Sequence, residues 1–193
     1  NPEFMYSLFV PARAHLAFPC FDQPDLKARY TLALTVPARW QTLANGAELA
    51  REVQGTRLQI RYAETEPIST YLFAFAAGSF QVEIAERSGR TFRMLHRETD
   101  EKKVARNRDT VFDLHAAALA WLEQYTGLPY RFGKFDFLLA PAFQFGGMEH
   151  PGAIFYNANS ILLDESATES QMLGRASLIA HETSHMWFGD LVT

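Results

Sequence analysis

The sequence predicts an α+β protein. Three observations lead there. Short stretches of alternating apolar and polar residues fill the first half, a helical period takes over near residue 98, and two further apolar runs precede a second helical stretch near the end. No internal repeat or low-complexity tract interrupts this order, so a β-rich unit over 1–97 and a mixed unit over 98–193 are expected.

The elements follow in order. Tyr30, Leu32, Leu34 and Val36 alternate with polar or small residues, which predicts a half-buried strand over 29–36 ended by Pro37. Asn45-Gly46 marks a turn, and Leu58, Ile60 and Tyr62 alternate again. The continuous apolar run 71–77 predicts a strand buried on both faces. Gly78-Ser79 marks a bend before Phe80, Val82 and Ile84, and Ser88-Gly89 turns the chain into a strand over 91–96. Strands this short and this closely spaced suggest an antiparallel sheet or sandwich. Asp100 is then the expected N-cap of a helix whose apolar stripe runs through Val104, Val111, His115, Ala118, Leu122 and Tyr125 to Gly127. The runs 135–140 and 153–156 predict buried strands. The last helix is expected over 171–188, with Ser166 and Glu169 as a capping box and Gly189 as its stop.

Composition excludes several classes of function. At 193 residues and 48% hydrophobic content the chain can bury a sizeable core. A net charge of −4, with Lys and Arg scattered, argues against a nucleic-acid partner. No apolar stretch approaches the ~18 residues of a membrane span. The single Cys20 cannot make an internal disulfide and is expected to be a buried small apolar residue. Asn1-Pro2-Glu3-Phe4 before Met5 reads as a vector scar. With no secretory signal in view, a cytoplasmic protein is expected.

One motif carries chemistry. His181-Glu182-Thr183-Ser184-His185 lies on the predicted last helix, where side chains four apart share a face. Two such imidazoles can reach one Zn²⁺, and the intervening carboxylate can reach the water that the metal activates. The bland alternative is a pair of surface histidines on an amphipathic helix. His15, His96 and His115 lack ligand-like spacing and are expected to be structural or surface groups. Upstream, Gly146-Gly147-Met148-Glu149-His150 combines glycines that permit close backbone approach with a carboxylate. Taken alone it reads as readily as a Gly-rich turn.

Together, in this order, the two motifs resemble the zinc aminopeptidases of the gluzincin clan, the family of alanyl aminopeptidase and leukotriene-hydrolase-type enzymes. The segments Phe18-Pro19-Cys20-Phe21-Asp22-Gln23-Pro24-Asp25-Leu26-Lys27-Ala28, Pro67-Ile68-Ser69-Thr70-Tyr71-Leu72 and Trp187-Phe188-Gly189-Asp190-Leu191-Val192-Thr193 extend the likeness over nearly the whole chain. The resemblance implies a saddle-like N-terminal antiparallel β-sandwich followed by the first part of a zincin (thermolysin-like) catalytic domain. It implies His181 and His185 as zinc ligands, and Glu182 as the general base. Glu149 would anchor the substrate's α-amino group, with the Gly146-Gly147-Met148 backbone pairing with the peptide. Peptides with a free N-terminus would be the partners, and one Zn²⁺ per full-length subunit the cofactor.

Three departures qualify these expectations. His150 stands where most members carry Asn, and Val10 stands where members carry a second amine anchor. The family's third zinc ligand and its transition-state tyrosine would lie beyond Thr193, so this polypeptide alone is expected to have little activity. A metalloendopeptidase without an amine anchor, and a non-catalytic module that docks peptides by strand addition, are the alternatives.

Overall fold

The computed structural model describes residues 3–192. Asn1 and Pro2 of the expected scar, and Thr193 at the end of the last matching segment, lie outside the described residues. Phe4 of the same tetrapeptide is the first residue of a strand, and its side chain packs against the core.

The first part holds two three-stranded antiparallel sheets. One joins β1 (Phe4–Tyr6), β6 (Phe75–Gly78) and β3 (Gln41–Ala44); the other joins β2 (Ala33–Pro37), β5 (Arg57–Tyr62) and β4 (Glu48–Gln54). In β5, Leu58, Ile60 and Tyr62 are buried while their neighbours are exposed, as their alternation predicts. These three meet Ala44 and Ala77 of the facing sheet, and the Tyr62 hydroxyl contacts Thr42 Oγ1 at 2.5 Å across the interface. That is a sandwich with one apolar layer between two sheets.

Two strand expectations in this part fail locally, for one reason. Where 71–77 was expected to be a single strand, Thr70–Leu72 forms a 3-10 turn and β6 starts only at Phe75. Asn45 takes over the backbone there: its Nδ2 donates to the Leu72 carbonyl (3.0 Å) and its Oδ1 accepts from the Ala74 N–H (2.7 Å). β2 begins at Ala33 rather than at 29, because Tyr30 N–H donates to the Thr65 hydroxyl (3.1 Å) and leaves the regular ladder.

The second part is a mixed five-stranded sheet in the order β10-β11-β9-β8-β7. Its strands are β7 (Gln81–Arg87), β8 (Arg90–His96), β9 (Phe135–Ala140), β10 (Gly147–Met148) and β11 (Ala153–Asn157). β7 and β8 form a hairpin across Ser88-Gly89, β8, β9 and β11 run parallel, and β10 closes the edge antiparallel to β11. A parallel pair needs a long crossover, and α1 (Glu101–Thr126) supplies it between β8 and β9. Its caps are the expected ones: Asp100 accepts from the Lys102 and Lys103 N–H groups, and Gly127 is left-handed at φ 68°. Since β7 and β8 pair into this sheet, hydrogen bonding crosses the boundary expected near residue 98, and the change of sheet falls between β6 and β7.

All six β9 residues are buried, and they serve two cores. Phe135, Phe137 and Leu139 face α1 and the last helix; Leu138 and Ala140 face Leu43, Ile68, Leu72 and Ala76 of the N-terminal part. His96 and His115 lie in this interior, and His15 is a surface partner of Asp22 (2.9 Å). Cys20, expected to be buried, is only half-buried. After the short α2 (Ala158–Ile161) comes α3 (Glu169–Ser184). Its capping box is formed by Thr168 and Gln171, two residues later than Ser166 and Glu169, and it ends before Gly189 with His185 as C-cap.

Candidate active site

α3 passes the edge of the five-stranded sheet at β10. His181 lies in the last turn of α3, and His185 follows at its C-cap with helical backbone angles (φ −58°, ψ −26°). The two rings therefore leave one face, and their Nε2 atoms stand 3.1 Å apart with the ring planes at 90°. His185 Nδ1 donates to the Phe188 carbonyl (3.1 Å). A neutral ring donating from Nδ1 keeps its Nε2 lone pair free as a ligand.

Glu182 lies against Gly147 of β10 and is only 4% exposed. Burial, reinforced by the negative Glu149, pushes its carboxyl up to about 8. Gly147 covers it so closely that a Cβ there would lie 2.5 Å from Glu182 Cδ. Any larger residue there would force the carboxylate or the strand to shift. Glu149 follows directly after β10, half-buried, with the Tyr71 hydroxyl 3.4 Å from its Oε1. Each of Glu149, Glu182 and His185 offers a ligand atom within 4.8 Å of the others, and His181 adjoins the group through His185.

This donor set fits zinc. Two tetrahedral ligands at 2.0–2.1 Å from Zn²⁺ are separated by about 3.3 Å, close to the 3.1 Å between the Nε2 atoms. A cation there would also offset the charge of Glu149 and Glu182. Residues from both motifs thus converge, with β10 as the edge strand of the sheet beside them.

Comparison with known proteins identifies the family. Residues 2–72 match the model of the peptidase M1 N-terminal domain, and residues 110–193 match the peptidase family M1 domain. The chain belongs to peptidase family M1. Over 187 residues it is 33% identical to "Probable aminopeptidase 1" of Sulfurisphaera tokodaii, covering 96% of this chain and 23% of that protein. It is 34% identical over 189 residues to "Aminopeptidase M1" of Arabidopsis thaliana (96% and 21%), and 33% identical over 187 residues to "Glutamyl aminopeptidase" of Sus scrofa (95% and 19%). The chain therefore spans about a fifth of the length of these relatives.

Within this M1 chain the site includes two residues that were not singled out from the sequence. Tyr71 reaches Glu149 from the N-terminal part, and its hydroxyl is pushed above the usual tyrosine range by burial and by Glu149 and Asp190. Asp190 is 1% exposed, both its carboxylate oxygens lack hydrogen-bond partners, and its carboxyl is raised by burial and by Glu149. Their signal was positional only: each lies inside a segment carrying the family likeness, with no spacing to mark it. His150 is fully buried against Phe155, at 4.7 Å between ring centroids, and burial drives its pKa down to about 3. It is a neutral packing group beneath β10. Among the described residues, no helix is long and apolar enough to cross a membrane.

Proposed function

We propose that the chain carries the first part of the active site of a zinc-dependent aminopeptidase that removes residues from the N-terminus of peptides. The observation that supports this best is Glu149: a half-buried carboxylate at the end of edge strand β10, within 4.8 Å of Glu182 and His185. A substrate laid along β10 as an added strand would bring its terminal ammonium to Glu149, and the next peptide bond to Glu182. The charge-assisted contact at Glu149 selects free N-termini and fixes the cut one residue in.

His181 and His185 would hold Zn²⁺, one per full-length subunit. Zn²⁺, when bound with a further protein ligand, supplies Lewis acidity to the scissile carbonyl and lowers the pKa of water. Glu182 takes the proton as water attacks the carbonyl and returns it to the departing amine. The backbone of Gly146, Gly147 and Met148 positions the peptide on the side facing Glu182.

Two imidazoles are one ligand short of a catalytic zinc site, and Glu149 and Glu182 have other roles in this reading. The 193-residue chain alone should therefore bind zinc weakly and turn over slowly or not at all. A cytoplasmic setting belongs to the same reading, supported by the lone free thiol of Cys20.

The test uses the full-length protein on matched peptides with free and acetylated N-termini. Cleavage of the free form alone is expected. Equal cleavage would favour a metalloendopeptidase. Binding of both peptides with cleavage of neither, in the parent as in Glu182→Gln, would favour a non-catalytic peptide-binding module.

A further inference from the structure

We propose that Lys27, in the N-terminal part, is a positioning residue for His185: it clamps the turn whose carbonyl fixes which ring nitrogen of His185 is free. The clamp is a short chain of contacts. Lys27 Nζ donates to the Asp190 carbonyl (2.7 Å) and the Leu191 carbonyl (3.4 Å). Asp190 N–H donates back to the His185 carbonyl (2.9 Å), and Gly189 N–H donates to Val192 (2.8 Å). Inside the loop so closed, the Phe188 carbonyl accepts from His185 Nδ1 (3.1 Å).

The geometry leaves the turn little freedom. Gly189 sits at φ 138°, and a Cβ on it would lie 3.2 Å from His185 Nδ1, so the loop passes close to the ring. Lys27 is itself rooted: Ala28 exchanges both backbone hydrogen bonds with Ile68 (3.0 Å each), and Ile68 is fully buried. The amine therefore bridges the N-terminal core and the turn after the histidine helix, 163 residues further along the chain. The Asp190 carboxylate, buried and without a hydrogen-bond partner, adds charge attraction to the same ammonium.

The consequence concerns a tautomer. A carbonyl can only accept, so the Phe188 contact places the His185 proton on Nδ1 and presents Nε2 as a lone pair toward His181. Without Lys27 the turn loses its outer support, and the ring becomes free to carry its proton on Nε2, where it cannot ligate. This inference rests on reading His185 as a zinc ligand, yet the ring itself can be read without metal.

The experiment uses the ¹⁵N-labelled chain at pH 8 with chelator present, with ring tautomers taken from long-range ¹H–¹⁵N spectra. His185 is expected as the Nδ1–H form in the parent and in Lys27→Arg. In Lys27→Met it should shift to a mixed or Nε2–H population while the amide spectrum of the sheets stays put. The same tautomer in Lys27→Met as in the parent would overturn the proposal. Should Lys27→Met fail to fold, Gly189→Ala decides: the added methyl crowds the ring against the turn, and an undisturbed Nδ1–H population would refute a role for the turn.

Zn²⁺ titration without chelator forms a separate arm. Zinc should shift both Nε2 resonances in the parent, with affinity about tenfold or more weaker in Lys27→Met. No zinc shift in the parent would remove the ligand reading while leaving the tautomer result intact. Equal zinc affinity in parent and variant would count against the clamp.

Discussion

Gly147 and Glu182 leave no room between them: a methyl group on Gly147 would stand 2.5 Å from both Cδ and Oε1 of Glu182. The sheet edge and the buried carboxylate are thereby held in one fixed relation. Gly147→Ala should displace the Glu182 side chain or lift β10 from β11, at a stability cost of about 1–3 kcal/mol. In the full-length protein kcat on an aminoacyl-arylamide should fall at least about tenfold, since a misplaced general base loses its proton-transfer contribution. A parent-like kcat would mean that this contact does not set the base.

The raised carboxyl of Glu182 makes a pH prediction for the protein without zinc. An unfolded chain releases this proton near 4.5, whereas the folded one keeps it to about 8. Between those values the unfolded state binds fewer protons, so stability must fall as pH rises. Asp190, also raised, adds a slope of the same sign. Glu182→Gln should flatten the profile and, at pH 8, leave the variant more stable than the parent by at most about 5 kcal/mol. Urea unfolding at pH 5 and pH 8 with chelator measures it. Parallel pH slopes for parent and variant would show that Glu182 ionises normally.

Glu149→Gln keeps the shape of the side chain and removes its charge. If the carboxylate anchors a terminal ammonium, kcat/KM for free peptides should drop roughly a hundredfold or more in the full-length protein, the scale of a broken desolvated charge pair. Acetylated peptides should stay uncleaved by both forms. The same substitution removes a neighbour that raises Glu182, so the pH at which Glu182 titrates should fall. Intact kcat/KM on free peptides would remove Glu149 from substrate binding.

What the sequence revealed, and what it hid, has a physical pattern. The meeting of His181 with His185 was legible because helical geometry ties a spacing of four to a shared face, and the close pass at Gly147 because such an approach demands a missing side chain. β5 and β9 were legible because alternation and continuous apolarity map directly onto burial. The 3-10 turn at Thr70–Leu72 was not, because the Asn45 side chain that replaces its ladder comes from elsewhere in the chain. Tyr71, Asp190 and Lys27 escaped for the same reason, since Tyr71 meets Glu149, and Lys27 meets the Asp190 carbonyl, only after folding. Parallel pairing of β8 with β9 across α1 is likewise a long-range fact, and it is what draws 81–96 into the second sheet.

The histidine helix is itself held by one buried amide, and this gives a last prediction. Asn107 of α1 is 4% exposed and bonds three residues, the Lys103 carbonyl one turn back (2.8 Å), Leu163 and Arg175. Its Nδ2 donates to the Leu163 carbonyl (2.8 Å), and its Oδ1 accepts from Leu163 N–H (3.1 Å) and from Arg175 Nη1 (2.6 Å) of α3. Asn107→Leu conserves size but strands a backbone donor, a backbone acceptor and part of a guanidinium whose Nε already lacks a partner. Leaving such groups unsatisfied costs about 1–3 kcal/mol each, so a loss of at least about 2 kcal/mol in urea unfolding is expected. Because Arg175 and the two histidines lie on the same helix, amide exchange over 175–185 should speed up more than exchange in β9. A stable variant with unchanged exchange in α3 would show that apolar packing of Ile179 and Met186 suffices to seat the helix.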